Sequence, residues 1–317
     1  MSSPVVLGLD FGGTKIAVAA CDLSGTRLAL TTVESKADAG ARAALDRGIV
    51  AARDLLASLD HQWHLAAVGA ATFGIPFDDR VELAPTIPGW ESLPFGTALR
   101  QAFPGVPIEL ATDVKAAARA ELSWGSLVGC DPALYLNLGT GLAIAIVAGG
   151  QVITGAHRAS GEIGYNLRSV TDVGVAISHR DMLEDIVSGK ALVTAANEHF
   201  GRPVSPSELF DRAATDPAAA DIVDTFVREL AMHVVNLAVA IDPARIAVGG
   251  GMVRSWSHIA PGLRRALDAA VPFPPELVPA EFPFDAPLIG ALALGVEAVA
   301  VAGEREIADA FDEEALA

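Results

Sequence analysis

Three features of the sequence predict an α/β fold made of two similar halves. Short apolar runs of strand length alternate with longer stretches of helix length. A strand, a glycine-rich turn and a second strand occur at Leu9-Asp10-Phe11-Gly12-Gly13-Thr14-Lys15-Ile16-Ala17-Val18-Ala19. The pattern returns at Leu136-Asn137-Leu138-Gly139-Thr140-Gly141-Leu142-Ala143-Ile144-Ala145-Ile146. Each copy leads into a polar turn, Asp22-Leu23-Ser24-Gly25 or Gly149-Gly150-Gln151, and a third apolar run. Two such halves facing each other would set both turns on one cleft. The 317 residues suffice for two domains, which we place at 1–113 plus 288–317 and at 114–287.

In the first half, residues 5–10, 15–22 and 27–34 read as strands, 39–58 as a helix and 65–72 as a fourth strand. The first turn suits a phosphate. Gly12 and Gly13 keep Cβ atoms out of a ligand's path so that backbone amides can converge on anionic oxygens, while Thr14 adds a donor and Lys15 a charge. Asp10, ending the first strand, would face the same oxygens through a bound Mg²⁺. An ordinary hairpin turn would use the same residues, and the second copy of the pattern favours the phosphate reading.

Phe73 to Trp90 is rich in Pro and Gly, which predicts a loop over the cleft mouth. Trp90 is open to two roles, lining the cleft or plugging the loop onto its domain. Ile108–Thr112 reads as a strand and Val114–Trp124 as a helix, with Asp113 on the joint. There Thr112 or Asp113 would serve as a helix cap, or Asp113 could take a proton from a substrate hydroxyl. Beside two phosphate turns, the base reading is preferred.

The second half repeats three strands from Leu134 to Thr154 and reaches Gly161-Glu162-Ile163-Gly164-Tyr165, where the Glu162 carboxylate could accept two sugar hydroxyls or stand solvated. Helices are predicted at Met182–Phe200, Pro206–Ala214, Ala218–Ile241 and Ser257–Ala269. The strand Arg245–Val248 stops at Gly249-Gly250-Gly251, which could lie against adenine or make a tight turn. Residues 271–287 are proline-rich and extended. Leu288–Ala302 reads as a helix able to pack back on the first domain, and the tail from Gly303 is polar and acidic.

A net charge of −17 with no Lys/Arg-rich run argues against a nucleic-acid partner. Cys21 and Cys130, far apart, suggest neither a disulfide framework nor a cysteine zinc site. No basic leader precedes the first strand and no unbroken apolar run nears the length of a span, so the expected home is the cytoplasm, away from membranes. Neither G-x-x-x-x-G-K-[ST] nor G-x-G-x-x-G is present.

The motifs above, with Pro85-Thr86-Ile87-Pro88-Gly89-Trp90, Thr112-Asp113 and Leu183-Glu184-Asp185-Ile186-Val187-Ser188-Gly189, resemble in order and spacing the ROK family of sugar kinases and sugar-responsive repressors, within the actin-like ATPase superfamily. The resemblance covers nearly the whole chain. It implies two ribonuclease-H-like domains with an interdomain active-site cleft holding ATP, Mg²⁺ and a sugar, and it suggests a homodimer. It further implies that Asp113 is the general base for a sugar hydroxyl, usually the 6-hydroxyl. By the same likeness Thr86, Gly89, Thr112, Glu162, Tyr165 and Glu184 belong to the sugar site. Asp10, Gly12, Gly13, Thr14, Lys15, Gly139, Thr140, Gly141, Gly249, Gly250 and Gly251 belong to the ATP site, with Asp10 acting on Mg²⁺ indirectly.

Repressor members carry a helix-turn-helix ahead of the first strand, for which this chain has no room, so the kinase branch is expected. Three departures bear on substrate and metal. Tyr165 stands where most members have His, and residues 166–181 contain no cysteine for their structural zinc; no zinc is expected, and His179 reads as an exposed loop residue. Thr112 and Thr86 stand where asparagines are usual. These changes alter which sugar positions are read, so an amino-substituted hexose such as kanosamine is a candidate beside plain glucose. The competing readings are a non-catalytic sugar sensor and a polyphosphate-dependent glucokinase, the latter without a basic track for its polyanion.

Overall fold

The computed structural model describes residues 2–84 and 86–315, with residues 305–315 by backbone alone. Pro85, at the head of the Pro85–Trp90 passage, lies outside the described residues, as does the end of the acidic tail at 316–317. The chain forms two compact units, Met1–Ser123 with Asp285–Ala317, and Trp124–Phe284.

The first unit runs β1 (Ser3–Phe11), β2 (Lys15–Cys21), β3 (Arg27–Glu34), α1 (Ala41–Ala57), β4 (Trp63–Thr72), a small ribbon of β5 (Ile75–Pro76) and β6 (Val81–Glu82), α2 (Phe95–Ala102), β7 (Ile108–Thr112) and α3 (Asp113–Trp124). The sheet order is β3-β2-β1-β4-β7. β1 pairs antiparallel with β2 and β2 with β3, whereas β1, β4 and β7 are parallel. Register aligns Phe11 with Thr72 and Thr72 with Thr112, so the three parallel strands end at one edge. The unbroken apolar reading of β1 follows from cover on both faces, since Val5, Val6, Leu7 and Leu9 are all fully buried.

One cover is α1, whose Ala41, Ala44, Leu45, Gly48, Ile49, Ala52 and Leu55 recur at helical spacing on its buried side. Another is the C-terminal helix, Ala286–Ala315, with Leu288, Ala291 and Leu292 buried. Its Ala286–Glu304 stretch has the length and apolarity of a membrane span, at mean hydropathy 1.8, yet it packs along β1 and β4 as a core helix of this unit. The first unit keeps α3 as far as Ser123, and Ala116 of α3 is buried together with Ala71 of β4 and Ala291 of the C-terminal helix.

The second unit contains β8 (Ala133–Leu138), β9 (Leu142–Ala148), β10 (Gln151–Val152), α4 (Gly189–Phe200), α5 (Pro206–Arg212), α6 (Pro217–Ile241), β11 (Arg245–Gly249), α7 (Trp256–Ala270) and β12 (Glu276–Pro279). Its sheet order is β10-β9-β8-β11-β12, with the strand directions of the first unit repeated. The duplication seen in the two turns therefore extends to the whole sheet, and each unit has the ribonuclease-H-like arrangement.

Three helices of this unit start on side-chain caps: Ser188 accepts from the Ala191 amide, Ser205 from the Glu208 amide and Asp216 from the Ala218 amide. The Ser188 cap explains why α4 begins at Gly189 and not at Met182, where the sequence alone predicts helix; Leu183–Asp185 forms only a short turn of 3₁₀ type. The β5–β6 ribbon lies in the Phe73–Trp90 stretch, whose prolines and glycines predict loop; β12 lies in the 271–287 stretch that reads as extended, and α2 in a stretch to which the sequence reading assigns no element.

Candidate active site

The predicted site residues are divided between the units, with Asp10, Thr112 and Asp113 in the first and the Gly139 and Gly249 turns in the second at the carboxyl ends of parallel strands. In the first, Asp10 is the penultimate residue of β1, and Asp113 opens α3 directly after β7. The Thr112 hydroxyl accepts from the Lys115 amide at 3.2 Å, so the capping role falls to buried Thr112. The Asp113 carboxylate accepts from the Val114 amide at 2.8 Å.

Burial, and next the charge of Asp113, push the Asp10 carboxyl up to about 7, against the pull of Lys15. Two carboxylates that disfavour each other's charge form a donor set that fits Mg²⁺, a hard cation taking one or two carboxylates and keeping water for the rest.

The first turn is closed by the Gly12 amide donating to the Lys15 carbonyl at 3.0 Å. Its own carbonyls are taken by Ser35, whose hydroxyl donates to Gly12 at 2.6 Å and whose amide donates to Thr14 at 2.9 Å. Arg47 in turn donates to the carbonyls of Ser35 and Lys36. Sequence reasoning missed Ser35, because a lone serine after a strand carries no signal. It also missed Lys36, which with Gly13 and Thr14 lines an open cavity of about 610 Å³. A Cβ at Gly13 would lie 2.7 Å from the Thr86 methyl, so the Thr86 passage rests on the turn and demands glycine there.

Trp90 takes the plugging role. It is 1% exposed, donates from Nε1 to the Thr72 hydroxyl at 3.0 Å, and packs among Phe11, Phe73 and Phe95. Gly89 beside it is exposed, with a left-handed φ of 80°.

In the second unit the β8–β9 turn is closed by the Gly139 amide donating to Gly141 at 3.1 Å, with Thr140 exposed at its tip. Glu184 reaches back to this turn and accepts from the Leu142 amide at 2.7 Å. A Cβ at Gly141 would stand 2.5 Å from the same carboxylate oxygen. Tyr165 joins them: burial, then the charges of Glu162 and Glu184, raise its phenol above the ordinary range. Glu162, Tyr165 and Glu184 therefore share one patch.

The Gly189 amide at the head of α4 donates to the Gly139 carbonyl at 2.8 Å, which pins the turn to the helix. At the end of β11, a Cβ on Gly249 would collide with the buried Tyr135 hydroxyl, and Gly250 has a φ of 85°. The tight-turn reading accounts for both, while Gly251 borders open space.

Residues 166–181 do not fit a structural zinc. The Asp172 carboxylate accepts from the Arg168 and Ser169 amides, Asp181 faces Arg168 at 3.6 Å, and His179 is exposed. Among the described residues no group of three His, Cys, Asp or Glu side chains could hold a metal ion.

Residues 6–298 match the family model described as "ROK family". The chain belongs to the ROK family. Kanosamine kinase of Amycolatopsis mediterranei (strain S699) is 30% identical over 308 residues, covering 96% of this chain and 97% of that protein. The ROK hexokinase of Thermus thermophilus superposes with a TM-score of 0.77 at 30% identity, over 92% of this chain and 97% of that one. A ROK family glucokinase from Streptomyces griseus, solved with glucose and AMPPNP, gives a TM-score of 0.74 at 26% identity, over 92% and 99% of the two chains. This ROK chain thus shares its fold with the ROK sugar kinases along nearly its whole length.

Proposed function

We propose that this ROK protein is an ATP-dependent sugar kinase that phosphorylates a hexose or amino-hexose, at the 6-hydroxyl. The observation that carries the reading is the pair of Asp10 and Asp113 at one sheet edge, beside a glycine turn whose carbonyls are tied back. It is supported by likeness to the kanosamine kinase and to the glucokinase that binds glucose and AMPPNP.

In this reading Asp113 accepts the proton of the attacking sugar hydroxyl as its oxygen bonds to the γ-phosphorus of ATP and the bond from that phosphorus to the bridging oxygen breaks, releasing ADP; the base contributes on the order of 10²- to 10⁴-fold. Glu162 and Glu184 accept further sugar hydroxyls, Thr86 and Gly89 border the sugar, and the phenol of Tyr165 sets which positions are read. The turns Gly12-Gly13-Thr14 with Lys15, and Gly139-Thr140-Gly141, hold phosphates, and Gly251 with its neighbours Gly249 and Gly250 lies near adenosine. Asp10 would hold Mg²⁺ or its waters; the cation, when bound, neutralises charge on the transferred phosphoryl group. Catalysis is then mostly positioning and electrostatics. A carboxylate-rich sugar site accommodates an ammonium, which with the kinship to kanosamine kinase puts an amino-hexose first among substrates. A cytoplasmic homodimer belongs to the same reading, from family likeness.

A coupled ADP-release assay with MgATP against glucose, mannose, fructose, N-acetylmannosamine, glucosamine and kanosamine tests it. Turnover of a hexose or amino-hexose is expected. Silence across the panel, with sugar still raising the melting temperature, would make the protein a sensor instead.

A further inference from the structure

Between Tyr165 and Met182 the chain makes a long excursion in which no residue is buried, and Leu167, Val170, Val173, Val175 and Ile177 all lie exposed. Apolar burial therefore cannot hold it in place. Besides the local turn capped by Ser169 and Asp172, two arginines tie it to α6 and across its own neck. Arg168 makes a two-pronged pair with Glu229 of α6, at 3.1 and 2.7 Å, both side chains about a quarter exposed at 24%. The neighbouring Asn166 Nδ2 lies 3.4 Å from His233 Nδ1, one helical turn along α6 from Glu229. At the far end Arg180 reaches back across the neck of the loop. It donates to the Tyr165 carbonyl at 2.6 Å and to the Asn166 carbonyl at 3.1 Å.

The neck is where the sugar-reading side chains meet. Tyr165 and Glu162 stand on the chain entering the excursion, and Glu184 lies just beyond the chain leaving it. Arg180 spans the two, and the Arg168–Glu229 pair fixes the entering strand to α6. We propose that Arg180, backed by Arg168–Glu229, is a positioning residue that sets Glu162 and Tyr165 against Glu184, doing with guanidinium forks what a metal cross-link would do in a loop rich in cysteine. The inference rests on the kinase reading for its substrate, and on geometry alone for the clasp.

The test compares the parent with Arg180→Ala, Arg180→Lys and Glu229→Gln. Lysine keeps the charge but lacks the two coplanar amino groups with which Arg180 reaches the two carbonyls. In Arg180→Ala, amide exchange across residues 163–185 should speed up by about 10-fold or more, one hydrogen bond's worth of opening. KM for the sugar should rise about 10-fold while KM for MgATP stays within about 2-fold, with Arg180→Lys intermediate and Glu229→Gln shifted the same way. Exchange equal to the parent's overturns the clasp. Faster exchange with an unchanged sugar KM, or sugar and MgATP constants rising together, overturns its positioning role. A parent that neither binds nor phosphorylates sugar contradicts the kinase reading instead, and the exchange comparison still decides whether the clasp exists.

Discussion

Asp10 and Asp113 stand at the carboxyl ends of β1 and β7 with only β4 between them, and the charge on Asp113 helps hold the Asp10 carboxyl at about 7. A fold that places two carboxylates this way keeps them at a cost to its own stability. Asp10→Asn should therefore stabilise the ligand-free protein by on the order of 1 kcal/mol, or roughly 2–4 °C in Tm, while turnover with MgATP falls at least about 10-fold. Calorimetry and the ADP-release assay on the same preparation check both halves. A lowered Tm would mean that Asp10 serves the fold.

Glu184 and Gly141 form one device, since the carboxylate occupies the space a Cβ on Gly141 would need. Gly141→Ala should push Glu184 off the Leu142 amide and raise the sugar KM about 10-fold, as Glu184→Gln should too, with the double variant little worse than either alone. Effects that simply add would show that the two residues act separately.

Trp90 belongs to the core. Trp90→Phe removes its hydrogen bond to Thr72 and leaves a small void, and should cost about 1–3 kcal/mol in urea denaturation. The order of preference among sugars should not change. A changed preference would put the indole back in the site.

His233 gives a pH signature. Burial, outweighing the charge of Glu229, lowers its pKa below the ordinary value, so the folded protein keeps it neutral where the unfolded chain takes up a proton. Its contribution to stability is therefore complete above about pH 6.5 and is lost progressively as pH falls below that value. Melting temperature between about pH 7 and 5 should drop in the parent and drop less in His233→Gln. Parallel curves would remove His233 as the cause.

The legible parts of this protein are those where one local pattern has one physical solution. Unbroken apolar runs such as Val5–Leu9 could only be covered strands, and the two glycine turns announced a repeat that proved to span both sheets. The place of Asp113 at a strand end is legible in the sequence, whereas the choice of Thr112 as the cap depends on its hydroxyl accepting from the Lys115 amide, which no spacing rule selects over Asp113. Ser35, Arg168, Arg180 and Glu229 were illegible because each acts across a long stretch of chain, through a partner that no spacing rule selects. The start of α4 was misplaced because the apolar pattern continues through Leu183 and Ile186, and the stop signal is a single capping serine.

If Asp113 removes the proton from the sugar hydroxyl, turnover must depend on its carboxylate, which Asp113→Asn probes under saturating MgATP and sugar. The expected result is a fall in kcat of about 10²- to 10⁴-fold, with sugar KM within a few-fold of the parent and a melting temperature no lower than the parent's, since the charge that disfavours ionised Asp10 is removed. A variant that keeps near-parental kcat would contradict the account, because a carboxamide at position 113 cannot accept that proton.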